Sequence, residues 1–355
     1  MKITRRPFYD ALKQLSRVAD QRAAMPVLNH VLLEAKDDTL KLTATDLNKR
    51  LTCQLPAEGK LTACLPTKLL ANLVKPESRR DKGDVSLEAL PDNKFSVEIA
   101  GLATILNGID PNDFPIGEEA DLKLLAMWPA KDLDASLAFV LPAYSCDVTR
   151  PNLNSVFFNG GTVTTTDGHR LHQSALPGPL DTSLLVPAAV ANTLHHILSD
   201  GDHVVIARAG ENIRFGVGIW QLDARLMDER FPDTEQVIPE KNSQPTKLKL
   251  DTKVFTKALT RVAKLSSGQG VKFTVNGSLV LSSQDVDTGS AETEVPVLSN
   301  THAGPDLAAG FNVAFLLDAL RKSGDFVELG FSDDLSPMRI DREDGRLAIV
   351  MPLRI

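Results

Sequence analysis

Within its 355 residues the chain runs three times through one succession of hydrophobic patterns, about 120 residues apart, and any fold for it must satisfy all three passes. Each pass opens with a segment of helical spacing. Phe8, Ala11, Leu12, Leu15 and Val18 fall along one helix face, Leu133, Leu137 and Val140 repeat the pattern after Pro129, and Phe255, Leu259 and Val262 repeat it after Asp251. Strand patterns follow each opening: VLLEA then LKLTATD, VFFNG then TVTTTDG, VKFTV then LVLSSQD. A second helical pattern comes next, as LPTKLLANLV at Leu65, VPAAVANTLHHI at Val186 and FNVAFLLDAL at Phe311, with Pro66 and Pro187 at helix starts that tolerate a missing N–H. Each pass closes on strands of period two and an apolar-Pro word: DFP at Asp113, RFPD at Arg230, LAIVMP at Leu347.

The landmarks agree on the period. Thr45-Asp46 and Thr166-Asp167 lie 121 positions apart, as do Pro66 and Pro187, while Pro115, Pro232 and Pro352 are separated by 117 and 120. Short apolar words also recur by chance in α+β chains, but here the order helix, strands, helix, strands is kept three times. The predicted fold is α+β: three repeated domains, each with two helices packed on antiparallel sheets around a common core. Apolar periodicity lapses at Gly117–Asp121 and again at Pro239–Pro245, so the expected domains are 1–119, 120–241 and 242–355.

Composition narrows the class. With 43% hydrophobic and 24% charged residues the chain is neither disordered nor fibrous, and no apolar run reaches the roughly 18–20 residues of a membrane span. Nor does the N-terminus carry the apolar core of a signal peptide, so a cytoplasmic protein is expected, without membrane contact. Cys53, Cys64 and Cys146 form an odd set without CxxC spacing, read as buried free thiols; no metal site and no cofactor are expected.

Net charge is −7, yet cations are concentrated. The first 22 residues hold Lys2, Arg5, Arg6, Lys13, Arg17 and Arg22 against Asp10 and Asp20; Lys13 and Arg17, four apart, project together from the first helix. Lys253, Lys257, Arg261 and Lys264 line one face of the helix that opens the third pass. Lys68, Lys75, Arg79, Arg80 and Lys82 cluster on and after the second helix of the first, with Arg321 and Lys322 at the matching place in the third. The middle pass is weaker, with Lys131 beside Asp132 and Asp134, and His195 and His196 mostly neutral at pH 7. One basic helix face is commonly just a solvated surface. Equivalent helices of repeated domains set in an arc would instead share a basic wall that meets phosphate through screened, sequence-independent contacts. No helix-turn-helix, zinc finger or aromatic platform is present, and aromatics are only 5%, which argues against base readout and single-strand stacking.

ATDLN at Ala44, TDGHRL at Thr166, RFPD at Arg230 followed by QVIP at Gln236, and the terminal MPLRI at Met351 resemble the bacterial DNA polymerase III β sliding-clamp family along essentially the whole chain. The resemblance implies half of a closed ring. Two chains would join head to tail as a homodimer around double-stranded DNA, held topologically and without sequence specificity, to tether the replicative DNA polymerase. It implies no catalysis. Clamp loader and repair proteins would also dock, through a short extended apolar peptide, in a pocket between the second and third domains. Carried over residue by residue, its lining is Leu153, Thr166, Gly168, His169, Arg170, Leu171, Pro232, Val237, Leu335, Pro337, Ile349, Met351, Pro352, Leu353, Arg354 and Ile355. The apolar members would form the slot, and Thr166, His169 and Arg170 would fix polar groups of the peptide. Thr234, Gln236 and Pro337 depart from the family pattern, at positions that bear on peptide preference.

The expected DNA-facing residues are Lys13, Arg17, Arg22, Lys75, Arg79, Arg150, Lys253, Lys257 and Arg261; Arg22 matches a DNA-contacting arginine of the family, whereas the aromatic neighbours of Arg150 are replaced by Pro151 and Asn152. Leu106 and Leu265 are expected at the subunit contact, with simple core burial as their other reading.

Two alternatives stay open at this level. Asp167-Gly168-His169 is also an ordinary turn, and with Ser155 it could be imagined as a hydrolase constellation; yet no GxSxG, HExxH or Walker A word accompanies it. A plasmid- or phage-borne clamp would read the same way.

Overall fold

Side chains spaced three and four apart become one helix face because the α-helix turns every 3.6 residues, and in the computed structural model Phe8, Leu12 and Leu15 are all fully enclosed on the first such face. The structure describes residues 1–19, 25–78, 81, 83–117, 121–265, 270–285, 287, 289–301 and 306–354. One order of elements recurs three times: a short strand, a helix, strands, a second helix, and three closing strands.

The first pass comprises β1 (Lys2–Thr4), α1 (Arg5–Leu15), β2 (His30–Lys36), β3 (Thr39–Thr45), β4 (Lys49–Pro56), β5 (Leu61–Pro66), α2 (Thr67–Leu73), β6 (Asp84–Leu90), β7 (Lys94–Ile99) and β8 (Leu102–Asn107). The second comprises β9 (Lys123–Pro129), α3 (Ala130–Val140), β10 (Ser155–Thr166), β11 (Arg170–Pro187), α4 (Ala188–Ile197), β12 (His203–Ala209), β13 (Asn212–Val217) and β14 (Trp220–Arg225). Here β10 and the 18-residue β11 merge what are separate strands in the first pass. The third comprises β15 (Thr246–Asp251), α5 (Thr252–Val262), β16 (Gly270–Val275), β17 (Leu279–Asp285), β18 (Gly289–Val295), β19 (Val297–Asn300), β20 (Leu307–Asn312), α6 (Val313–Leu320), β21 (Phe326–Phe331), β22 (Met338–Arg342) and β23 (Leu347–Val350). Side-chain caps start the last two helices, Asp251 Oδ1 accepting from the Val254 N–H at 2.9 Å and Asn312 Oδ1 from the Ala314 N–H at 2.8 Å. Among the described residues no helix is long and apolar enough to cross a membrane.

The chain forms two compact units, residues 1–134 with 189–226, and residues 135–188 with 227–355. The middle pass is thus shared between them. In the first unit, a sheet of order β5-β2-β3-β4-β14-β13-β12-β9 runs from first-pass into second-pass strands through the antiparallel pair β4 and β14, from Trp220 opposite Cys53 to Ala224 opposite Lys49. The second unit repeats this device. Its sheet β10-β11-β23-β22-β21-β15-β19 joins second to third pass through β11 and β23, with Arg170 opposite Val350 and Leu171 opposite Ile349. Each unit also has a four-stranded sheet, β1-β6-β7-β8 in the first and β18-β17-β16-β20 in the second, with β8 and β18 as edges.

Cores sit between helices and sheets. In the second unit Phe273 is enclosed by aromatic rings, its centroid 5.2 Å from Phe311 and 6.0 Å from Phe255, in edge-on geometries that add to simple area burial. Cys53 and Cys64 are buried as expected, and burial pushes both thiols up to about 12. Cys146 corrects the expectation: it is exposed, because it lies in the turn between the end of α3 and β10 rather than on a core-facing strand.

His172, on β11, is wholly enclosed, stacked on Phe139 at 4.6 Å with Nδ1 2.7 Å from the Phe139 carbonyl oxygen. Burial, which disfavours the imidazolium, pushes its pKa down to about 4. The unfolded chain takes up this proton near 6.5, so between these values the unfolded state binds more protons. The stabilisation is complete above about pH 6.5 and disappears as pH falls toward 4, a loss on the order of 3 kcal/mol. Urea unfolding at pH 7.5 and pH 5 is expected to show this decline, and His172→Phe should flatten it; an unchanged pH slope in the variant would refute the assignment.

Candidate nucleic-acid and peptide interfaces

The two Thr-Asp words fold into the same turn. Thr166 Oγ1 donates to the Arg170 carbonyl (2.6 Å) and accepts from the Gly168 N–H (3.1 Å), while Asp167 Oδ1 accepts from the N–H groups of His169 (2.9 Å) and Arg170 (3.0 Å). Thr45 and Asp46 do likewise, with Oγ1 donating to the Lys49 carbonyl (2.9 Å) and Oδ1 accepting from Asn48 (3.0 Å) and Lys49 (2.9 Å). A positive φ is needed at the third position, +89° at Gly168 and +73° at Leu47, so the first turn carries strain that glycine spares the second. Among described residues no cluster of His, Cys, Asp or Glu could hold a metal ion.

Around the second turn an apolar cluster is built from strand alternation. Leu171 stands opposite Ile349, and both pack with Leu347 and, from the 235–238 segment, with Ile238. Of the expected apolar lining, Val237 (50%), Leu335 (77%), Met351 (39%) and Leu353 (39%) are exposed; the Met351 N–H donates to the His169 carbonyl (2.9 Å) beside this cluster, whereas the Leu353 N–H donates to the Gly310 carbonyl (2.7 Å) on β20. Pro232, His169 and Arg354 are exposed, Pro337 and Pro352 half-buried, and Leu153 buried. Ile355 lies outside the described residues.

Two expected polar ligands are already engaged. Arg170 donates to Asp167 Oδ2 (3.0 Å), Asp318 Oδ2 (2.6 Å) and the Pro142 carbonyl (2.5 Å), and its guanidinium lies 4.2 Å over the Phe315 ring. It fastens β11 to α6 and cannot turn to a peptide without breaking four contacts. Thr166 is likewise spent on its turn, which leaves His169 as the exposed polar side chain of the word. Ile238 and Leu347 were not among the expected lining; the period-two series Leu347, Ile349, Met351 contained the signal for the latter.

The cations sort by tertiary surroundings. Lys13 on α1 and Arg17 in the turn after it are exposed, as are Lys253, Lys257 and Arg261 on α5, opposite the buried Phe255 and Leu259. Arg5 instead is buried, donating to the Val74 (3.1 Å) and Lys75 (2.6 Å) carbonyls at the end of α2 and to Asp81 (2.8 Å). Lys75 is exposed; Arg150 is exposed but lies 3.5 Å from Asp147. Gln14 of α1 donates to the His196 carbonyl (3.2 Å), which sets α1 beside α4; burial first, then Arg17 and His195, lower the His196 pKa. Arg22 and Arg79 lie outside the described residues. Leu106 on β8 is buried, so it belongs to its own sheet's core, whereas Leu102 and Ile105 of the same strand are 70% and 63% exposed; Leu265, in the turn after α5, is half-buried.

Family models described as the N-terminal, central and C-terminal domains of the DNA polymerase III beta subunit match residues 1–116, 133–233 and 235–354. The chain is 30% identical over 381 residues to a "Beta sliding clamp" of Caulobacter vibrioides, covering 100% of both chains. Among solved structures, a sliding clamp (DNA polymerase III subunit beta) from Bartonella birtlesii bound to griselimycin is 27% identical with a TM-score of 0.91, covering 100% of this chain and 99% of that one. The DNA polymerase III subunit beta from Pseudomonas aeruginosa is 28% identical with a TM-score of 0.88 and complete coverage of both.

Proposed function

The chain belongs to the DNA polymerase III beta subunit family, the beta sliding clamps, and from that premise we propose that two copies close head to tail into a ring around duplex DNA, with contacts at the residues named below. The family is one of processivity factors, not enzymes, and its partners are DNA and the polymerase. The repeated sheet junction carries the proposal. The closing strand of one pass pairs with the β4-type strand of the neighbouring pass, first as β14 with β4 and then as β23 with β11. One copy of each strand type is left, β8 and β18, each at a sheet edge. An edge strand bearing exposed Leu102 and Ile105 is a template for pairing, and a second copy offers the complementary edge.

The same equivalence supplies a register. The hairpin β7–β8 matches β13–β14, with Ile99 opposite Leu102 as Val217 is opposite Trp220, so Ala103 corresponds to Gln221. Thr45 pairs Arg50 as Gln284 pairs Ser290, so Glu292 corresponds to Thr52. Gln221 faces Thr52; Ala103 is therefore expected opposite Glu292 of the second copy. Opposed residues in antiparallel strands are close enough for a disulfide. In a Cys146→Ser background, Ala103→Cys with Glu292→Cys should oxidise to a covalent dimer, and neither single variant should. A monomeric solution mass without cross-linking would sink the ring.

At such a junction the helices left over are α5 and α2, just as α1 meets α4 within the first unit. Lys253, Lys257 and Arg261 of one copy would then adjoin Lys75 and Arg79 of the other, with Lys13 and Arg17 continuing the basic wall; Arg22 and Arg150 complete the proposed DNA-facing set. Leu265 falls at this contact, and Leu106 supports it from beneath. The apolar cluster around Leu171 and Ile349 is the proposed dock for short extended peptides of polymerase, clamp loader and repair proteins, in the cytoplasm. Domain limits at 1–119, 120–241 and 242–355 complete the reading.

A further inference from the structure

The two sheet junctions share one backbone register and differ in side chains. The turn at Thr45 sets Lys49 opposite Ala224 as the turn at Thr166 sets Arg170 opposite Val350, so Arg50 stands where Leu171 does, Asp223 where Ile349 does and Gln221 where Leu347 does. The match extends past the strands. The Arg225 N–H donates to the Asn48 carbonyl (3.5 Å) as the Met351 N–H donates to the His169 carbonyl (2.9 Å). Where the second junction carries its apolar cluster, the first therefore carries charge. It also carries a cavity of about 470 Å³, in the range of ligand sites, bordered by Leu47, Ile116, Arg50, Arg214, Asp223 and Arg225.

Asp223 takes two guanidinium groups. Arg50 donates to its Oδ2 through Nη2 (2.9 Å) and Nε (3.2 Å), and Arg214 to its Oδ1 through Nε (2.5 Å). Burial would raise the Asp223 pKa, but the bonds from Arg214, Arg50 and Gln221 outweigh it and hold the carboxyl below its usual range. The carboxylate is thus ionised and offsets one of the two cations. Arg50 is fully engaged, its Nη1 donating to the Gly117 carbonyl (3.0 Å). Arg214 is not: its side chain is 27% exposed, and among the described residues its Nη1 and Nη2 make no hydrogen bond. Arg225 is matched by Glu211 and Lys49 by Asp46. One positive charge of the described lining is left without a counter-charge, on a planar fork suited to a carboxylate. The rest of the rim is apolar, with Leu47 60% and Ile116 66% exposed. Leu47 is held there at a φ of +73°, a left-handed conformation unfavourable to leucine.

We propose that the β4–β14 junction is a second dock, for an extended segment of a partner protein that sets an Asp or Glu carboxylate on the free fork of Arg214 and an apolar side chain against Leu47 and Ile116. Charge complementarity selects this occupant and separates it from the apolar peptide of the β11–β23 junction. Only the expectation that partners arrive as extended peptides rests on the clamp reading; the carboxylate seat stands on Arg214.

Random heptapeptides displayed on phage are selected on the full-length protein while a saturating apolar polymerase peptide occupies the other junction, and enriched peptides are titrated by anisotropy. They should carry Asp or Glu within a few residues of an apolar side chain. Affinity should fall at least tenfold in Arg214→Gln, and likewise when the peptide's carboxylate is replaced by its amide. Leu47→Gly relieves the positive φ, so it should melt no lower than the wild type, yet bind severalfold more weakly, which a folding defect would not produce. Glu118→Gln with Glu119→Gln, next in sequence after Gly117, should not weaken binding; a loss there would assign the hold to those acids and overturn the proposal. Deleting Met351–Ile355 should leave the acidic peptides bound. If it releases them, they sit at the other junction and the proposal falls; if the apolar peptide never binds while the acidic ones do, the β11–β23 dock fails and this one stands. A selection without acidic–apolar peptides, peptides indifferent to Arg214→Gln, or an Arg214→Gln effect confined to duplex DNA also overturns it.

Discussion

Cutting a plasmid that carries the loaded protein should release it, whereas the intact circle should retain it through gel filtration. Screened cation–phosphate contacts give dissociation constants of roughly 10⁻⁴–10⁻⁶ M, so at about 10 nM protein they hold on the order of 1% or less. Retention on a circle must then come from linkage rather than affinity. Raising the salt should weaken duplex binding in direct titration yet barely shorten residence on the closed circle, provided the dimer persists. Equal retention on circular and linear DNA would mean that the protein grips DNA instead of encircling it.

Removal of Met351–Ile355 should strongly weaken docking of an extended apolar peptide taken from the replicative polymerase. Met351, bonded to the His169 carbonyl, and Leu353, bonded to the Gly310 carbonyl, are both partly exposed. Each is 39% exposed, so covering both with a ligand is worth about 1–2.4 kcal/mol together, and losing them should by itself weaken binding by roughly 10- to 50-fold. Among described residues the tail's backbone bonds go to His169 and Gly310, which leaves β8 and β18 untouched. The truncated protein should therefore keep its solution mass. A change in peptide affinity smaller than about threefold would remove the cluster from consideration as the dock.

Much of the fold was legible because it depends on local periodicity. The Phe8–Leu15 and Phe255–Val262 stripes report a helix face at 3.6 residues per turn, and runs such as LKLTATD report a strand at two. The Thr-Asp words were legible as turns, since a side chain that bonds backbone two and three residues on needs no distant partner. The cluster was only half legible. Leu171 and Ile349 were placed by resemblance and Leu347 lies two residues before Ile349 on the same strand face, but Ile238 joins them from outside the sheet by packing that no local pattern announces.

Charge shows the division most sharply. Lys13 and Arg5 look alike as letters near the N-terminus, yet Lys13 faces solvent while Arg5 is consumed by Asp81 and two carbonyls at the end of α2. Arg170, read as a ligand for a peptide, reaches Asp318, 148 positions away, and becomes a fastener. The sequence alone determined the threefold order of helices and strands, because each is selected by the spacing of its own apolar residues. Which strand edges meet and which cations stay free were decided by the tertiary structure, because each depends on groups far apart along the chain that only packing brings within a few ångströms.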